Sequence, residues 1–222
     1  MGTRRIILET QEYYHVYNRG VARLPIFYSY QDYQRFLNSL EYYQFLNPPI
    51  RYSFFLKLNE IEKIEYRTEL KKHPKLVSIY CYALIPNHYH LFLKQEINDG
   101  IDTFMRRSIN SYVKHINRRD DRVGTLFQGA FKATRVESNE QAIYLTKYIH
   151  LNPVKSCLIT LDKLQNYKWS SLPAYVNEKK SFIDKSLLMD FFKDKDKYLN
   201  FLINIKDQAT YFQSVSNIKI ED

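Results

Sequence analysis

The chain holds only two cysteines in 222 residues, Cys81 and Cys157. Two thiols build neither a disulfide framework nor a four-cysteine zinc site, and Cys81 lies in an apolar run of the kind that buries a thiol. A reducing cytoplasm is the expected compartment. No apolar stretch approaches the roughly 18 residues that span a bilayer, and Ile6-Ile7-Leu8 behind Arg4 and Arg5 is shorter than a signal-peptide core of about 7–15 residues. Export is therefore not expected. There is no Walker-type glycine-rich lysine motif to bind a nucleotide, no internal repeat and no low-complexity linker. Acidic residues are the scarcer sign: 24 Asp+Glu stand against 33 Lys+Arg, which leaves a net charge of +9 and a pI near 9.3. That excess favours polyanionic partners, nucleic acid first.

What the chain does contain is core. Its 45% hydrophobic and 26% charged residues are those of a folded globular protein, and its length suits one domain with elaborations. Twenty of the aromatic residues are tyrosines. Rings beside basic side chains serve base stacking and phosphate contact in single-stranded nucleic acid, although most of these rings are assigned to the core.

Periodicity divides the chain into elements. Tyr13 to Tyr17 reads as a strand that ends at the turn residues Asn18-Arg19-Gly20. From Asp32 to Phe45, Tyr33, Phe36, Leu37, Leu40 and Tyr43 recur every three or four residues, which predicts a helix ended by Pro48-Pro49. Tyr52 to Leu56 resembles a strand, and the charged stretch Glu60 to Lys72 a solvated helix. Leu76 to Leu84 and His88 to Lys94 are strands joined by a turn at Ile85-Pro86-Asn87, a β-hairpin. Leu126 to Val136 is strand-like around Gly129. Ser138-Asn139-Glu140-Gln141 has the capping-box form, which predicts a helix running to about Leu151, where Asn152-Pro153 interrupts it. A helix from Val154, the segment Trp169-Ser170-Ser171-Leu172, and helices around Leu187 to Phe192 and Tyr198 to Ile205 complete the chain.

The segment Thr103 to Arg119 carries no acidic residue. On a helical wheel Met105, Ile109, Tyr112, Val113 and Ile116 share one side, while Arg106, Arg107, Asn110, Lys114, Asn117 and Arg118 occupy the other. Solvated faces usually mix charge signs. A face that is wholly positive or amide suits phosphates.

Two features could carry chemistry. In His88-Tyr89-His90 alternate residues of a strand point the same way, about 6.6–6.8 Å apart at Cα, so both imidazoles can grip one divalent cation. Strand histidines also occur as hydrogen-bonded surface or core groups. Tyr148 and Asn152 lie four residues apart on one helix face, with Tyr144 a turn earlier. Asn152 could complete a metal site, or could simply cap a helix that Pro153 opens. Tyr148 could present its oxygen, or could pack in the core.

Tyr14-His15-Val16-Tyr17-Asn18-Arg19-Gly20, Ala83-Leu84-Ile85-Pro86-Asn87-His88-Tyr89-His90-Leu91-Phe92, Leu126-Phe127-Gln128-Gly129 and Tyr148-Ile149-His150-Leu151-Asn152-Pro153-Val154 resemble the ordered motifs of the single-tyrosine, His-hydrophobic-His transposases. Trp169-Ser170-Ser171 narrows the resemblance to the REP-associated tyrosine transposases. It covers roughly residues 13–175, with a longer stretch at about 47–75 than is usual before the histidine hairpin.

The resemblance implies an α+β fold: an antiparallel sheet flanked by helices, ferredoxin-like or RNA-recognition-motif-like, with C-terminal helical additions. It implies a catalytic domain over about 1–157 and a helical extension over 158–222 packed on it. It implies that Tyr148 attacks single-stranded DNA to leave a 5′-phosphotyrosine and a 3′-hydroxyl, and that His88, His90 and Asn152 hold Mg²⁺ or Mn²⁺. The partner is then single-stranded or hairpin DNA, and family members work as homodimers or alone. Arg106, Arg107, Lys114 and Arg118, with Arg19, Lys132 and Arg135, are the expected phosphate contacts, from charge placement. Two other functions fit the composition: a non-catalytic nucleic-acid-binding module, and a metal-dependent nuclease that would need a carboxylate such as Glu137 or Glu140 as a further ligand.

Overall fold

The computed structural model describes residues 7–177 and 181–204. Four strands, β1 (Tyr13–Arg19), β2 (Val77–Ile85), β3 (His88–Gln95) and β4 (Lys132–Val136), form one antiparallel sheet in the order β2-β3-β1-β4. The register pairs Val16 with Leu91, Tyr17 with His90 and Arg19 with His88. Since cross-strand partners share a face, Tyr14, Val16, Tyr89 and Leu91 point to one side, and His15, Tyr17, His88 and His90 to the other.

Two helices cover the first face: α1 (Tyr30–Tyr43) and α4 (Gly100–Arg119). Ser29 starts α1 through a reciprocal capping box with Asp32, which satisfies donors the first turn would otherwise leave open. The apolar stripe expected of α1 is buried, and its Phe36 ring lies 5.2 Å from that of Tyr89. Asp32 is fully buried and pairs with Arg119 at the far end of α4, so one carboxylate caps one helix and holds its neighbour. At Gly100 a Cβ would stand 2.2 Å from the Leu76 carbonyl oxygen. Only glycine lets α4 begin so close to the entry of β2.

The second face is covered by α5 (Asn139–Lys155), whose Ala142, Leu145 and Ile149 cluster with Cys81, Ala83, Ile85 and Phe92. Ser138 caps it by accepting from the Gln141 N–H. This helix departs from expectation at its other end. It does not stop at Leu151 but runs through Asn152 and a buried Pro153 to Lys155. A proline this near the C-terminus removes one ladder bond while most of the last turn's carbonyls already lack partners, so the helix survives it. No helix starts at Val154; a short 3₁₀ segment, Leu161–Asn166, follows instead.

Two further expectations are corrected. Tyr52 to Leu56 is not a strand but a single turn, α2 (Tyr52–Phe55), followed by α3 (Glu60–Leu70). The buried residues are Tyr52 and Phe55, three apart, while Phe54 is 54% exposed; that is helical spacing, not alternation. Leu126 to Val136 gives only the five residues of β4, preceded by an isolated bridge from Phe127 to Gly20.

The outer edge of β2 is closed by the C-terminal part. Leu84 donates its N–H to the Trp169 carbonyl at 2.8 Å, Ser171 to Tyr82 at 3.0 Å, and Asp184 to Ile79 at 2.8 Å. Beyond lie α6 (Leu172–Val176), α7 (Ser186–Phe192) and α8 (Lys195–Ile203). Arg4, Arg5 and Ile6, Ile205, and the remainder of the expected extension to Asp222 fall outside the described residues. Among the described residues no helix is long and apolar enough to cross a membrane.

Candidate active site

His88 and His90 open β3, immediately after the turn Pro86-Asn87. The turn is pinned from both sides: Gly20 donates its N–H to the Asn87 carbonyl at 2.8 Å, and Ile26 and Phe27 donate to that of Pro86. Opposite them, the C-terminal half of α5 brings Tyr148 and Asn152 over the same face. His88 Nε2 lies 3.1 Å from Asn152 Oδ1, and His90 Nε2 lies 3.3 Å from Asn152 Nδ2. The Tyr148 ring meets the His90 ring edge-on at 5.3 Å between centroids. Four residues separated by up to 64 positions therefore converge. Asn152 is inside the helix with its amide turned to the histidines, so it is not a cap.

The hydrogen-bond network fixes the tautomers. Asn87 Oδ1, 2.7 Å from His88 Nδ1, requires a proton on that nitrogen. The lone pair of His88 Nε2 then faces the Asn152 carbonyl oxygen, two acceptors that would hold a divalent cation. Asn152 Nδ2 faces the lone pair of His90 Nε2, which leaves the proton on His90 Nδ1. That nitrogen is 2.9 Å from Nε2 of His15. The third histidine thus accepts from the second, lying 5.1 Å from it and 4.7 Å from the Tyr17 ring in stacked arrangements. Burial drives the pKa of His15 down to about 3 and holds that of His90 well below the usual imidazole value, with the neighbouring imidazoles and Lys155 adding repulsion. Neutral imidazoles are the form that a divalent ion binds.

His88 Nε2 and Asn152 Oδ1, 3.1 Å apart, match one edge of an octahedron whose metal–ligand bonds are about 2.1–2.3 Å. The His88 imidazole and the amide oxygen fit the cation that the motifs imply, and His90 Nε2 lies beside them against the Asn152 amide nitrogen. Among the described residues no group of three or more His, Cys, Asp or Glu could hold a metal ion. Glu137 and Glu140 stand at the opposite end of α5, about 18 Å or more from Asn152 along the helix axis. The hydrolytic nuclease reading loses its carboxylate ligand there.

Lys155 and His15 were not singled out from the sequence. Lys155 follows Tyr148 and Asn152 at the helical spacing of four and then three residues, and its ammonium lies 4.8 Å from the centroid of the Tyr148 ring. Partial burial, with Lys147 nearby, lowers its pKa to about 8. The spacing was legible; the pairing of His15 with His90, 75 positions away, was not.

The expected phosphate contacts divide into two groups. Arg19, whose Nε donates to Gln128 at 2.8 Å, and Lys132, 5.9 Å from the Tyr17 ring, belong to the strands and share the face of the histidines. Arg135 pairs with Glu9 and Glu12. Arg106, Arg107, Lys114 and Arg118 lie on α4, across the sheet from Tyr148.

A helix-covered antiparallel sheet with a histidine pair on a central strand and a tyrosine helix above it has the fold of the His-hydrophobic-His tyrosine transposases. The solved structure of a REP-associated tyrosine transposase bound to a REP hairpin superposes with a TM-score of 0.55 at 13% identity, covering 83% of this chain and 94% of that one. No protein-family model and no curated protein matches the sequence. At that identity the likeness establishes the fold.

Proposed function

We propose that this chain is a DNA strand transferase that cleaves and rejoins single-stranded or hairpin DNA through Tyr148. The observation that carries the reading is the convergence of Tyr148 and Asn152, from one helix, on His88 and His90. The Tyr148 oxygen attacks the scissile phosphorus; the P–O3′ bond breaks, the tyrosine becomes a 5′-phosphotyrosine, and the phenolic proton ends on the departing 3′-hydroxyl. The phosphodiester energy is kept in the new bond, so rejoining is the reverse step and needs no nucleotide. His88, His90 and Asn152 would hold the divalent cation, Mg²⁺ or Mn²⁺ by the resemblance. Bound there, it would neutralise charge on the scissile phosphate and on the leaving oxygen. Asn87 and His15 keep the two imidazoles in the ligating tautomer. The Lys155 ammonium beside the Tyr148 ring favours an anionic oxygen there, which matters because a tyrosine of ordinary pKa, about 10, is mostly neutral at pH 7. Arg19 and Lys132 flank the path of the strand.

The test is covalent capture. Incubated with end-labelled hairpin DNA carrying a single-stranded tail and Mn²⁺, the protein should give a denaturant-resistant adduct that Tyr148→Phe abolishes. An undiminished adduct in that variant removes the nucleophile. His88→Ala and His90→Ala should lose cleavage while DNA affinity stays within a small factor. A protein that binds the DNA but never forms the adduct would be the non-catalytic module.

A further inference from the structure

Trp169 opens the motif that narrows the family resemblance, and its carbonyl serves the fold by accepting the Leu84 N–H on the outer edge of β2. That bond needs no indole. The ring instead ends a column of three. Phe27 lies 4.6 Å from Tyr33 with 25° between the planes, and Tyr33 lies 4.6 Å from Trp169 with 16°. Phe27 and Tyr33 are buried, whereas Trp169 is half-buried and brings the stack to the surface. Tyr30 stands edge-on to the indole at 4.9 Å. It is 56% exposed, and Tyr28, two positions earlier, is 52% exposed. Rings of this size go into a core when packing alone decides their place. These two do not.

The cluster adjoins the histidine hairpin. Leu84, which Trp169 holds, is the register partner of Tyr89, the residue between His88 and His90. Two strand spacings, about 10 Å, therefore separate the Trp169 backbone from β3, roughly three nucleotide steps at 3.4 Å each. The segment that carries Tyr28 is fastened to the same turn. Ile26 and Phe27 donate to the Pro86 carbonyl, and Asn87 Nδ2 donates to the Arg23 carbonyl at 3.1 Å. Arg23 and Lys168 are exposed on either side of the rings, and neither 21–31 nor 163–172 contains an acidic residue. Aligned rings between cations suit a planar base that carries phosphates. We propose that Trp169, Tyr30 and Tyr28 form a stacking site for an unpaired nucleobase of the strand that passes the histidines. The base joins the column as its fourth ring, the edge of Tyr30 limits its sideways movement, and Arg23 and Lys168 meet the adjoining phosphates. Every base has a π-face, so the site sets where the strand lies and not which sequence it has. The proposal rests on the DNA-transferase reading for the identity of the strand.

Trp169 is the only tryptophan of the chain, so its emission reports on the site directly. The full chain is titrated with a short single-stranded oligodeoxynucleotide, with an abasic strand of the same length and with a blunt duplex. The single strand should quench the emission, and the abasic strand and the duplex should not. Tyr30→Ala should weaken single-strand binding about 5-fold or more without changing its salt slope, because the lost ring carries no charge; Tyr30→Phe should bind as wild type does. Arg23→Gln should lower the slope by up to about 1. Quenching as strong with the abasic strand or the duplex, no quenching by the single strand, or wild-type affinity in Tyr30→Ala would overturn the proposal. Tyr148→Phe should be quenched like wild type. A protein that never forms the adduct but is quenched by the single strand alone therefore loses the catalytic reading and keeps the stacking site.

Discussion

His15 is the residue whose removal says most about the site. It accepts the Nδ1 proton of His90 in a wholly buried position, and its own Nδ1 has no partner. His15→Ala leaves the His90 N–H without an acceptor and lets the ring turn. Removing such a supporting group typically costs a metal site about 10–100-fold in affinity. We expect a Mn²⁺ dissociation constant raised by that factor, read by calorimetry or by the resonance signal of free Mn²⁺. His15→Gln, whose amide oxygen can accept the same proton, should recover part of it. Equal losses in both variants would mean that His15 only fills space. From sequence, His15 was one letter of a β-prone run, since nothing local announces a partner 75 positions on. The pair His88 and His90 was visible because strand alternation alone puts them together.

At the scale of elements, α5 is clamped by the C-terminal helices. His150 receives or gives hydrogen bonds to Tyr198 Oη at 2.6 Å and to Ser171 Oγ at 2.8 Å, and it touches Cys81 Sγ at 3.2 Å. Lys147 donates to the Phe201 and Asn204 carbonyls at 2.6 and 2.9 Å, closing the end of α8. Burial lowers the pKa of His150 to about 3, against 6.5 for a free imidazole. A folded-state value below the unfolded one gives stability that is complete above about pH 6.5 and is lost as pH falls towards 3. By pH 5 the loss should reach about 2 kcal/mol, measurable as a lower urea midpoint than at pH 7 and diminished in His150→Gln. Tyr198→Phe should cost about 1–3 kcal/mol by leaving a buried ring nitrogen unpaired; a loss below that range would place water at the site. Helices with a clear stripe or cap, α1, α4 and the start of α5, were legible from spacing. The single turn α2 was not, because Tyr-Ser-Phe-Phe-Leu has strand propensity and becomes helical only when Tyr52 and Phe55 find Tyr42, 5.1 and 5.2 Å from its ring. Pro153 misled for the related reason that a proline's position within a helix, not its presence, decides what it breaks.

For the whole molecule, the two halves of the site differ in how firmly they are held. The strand with the histidines is the second of four, hydrogen-bonded along its length to β2 on one side and β1 on the other. The tyrosine rides on a separate helix, joined to the sheet by side chains. Amide protons of His90 to Leu93 should therefore exchange with deuterated solvent only on global unfolding, whereas those of residues 148–155, around the missing Pro153 donor, should exchange through smaller openings. Equal protection in both places would contradict this. The practical meaning is mechanical: the sheet is a fixed anvil bearing the imidazoles, and any shift of α5 carries Tyr148 and Asn152 together, since they sit one turn apart on one helix.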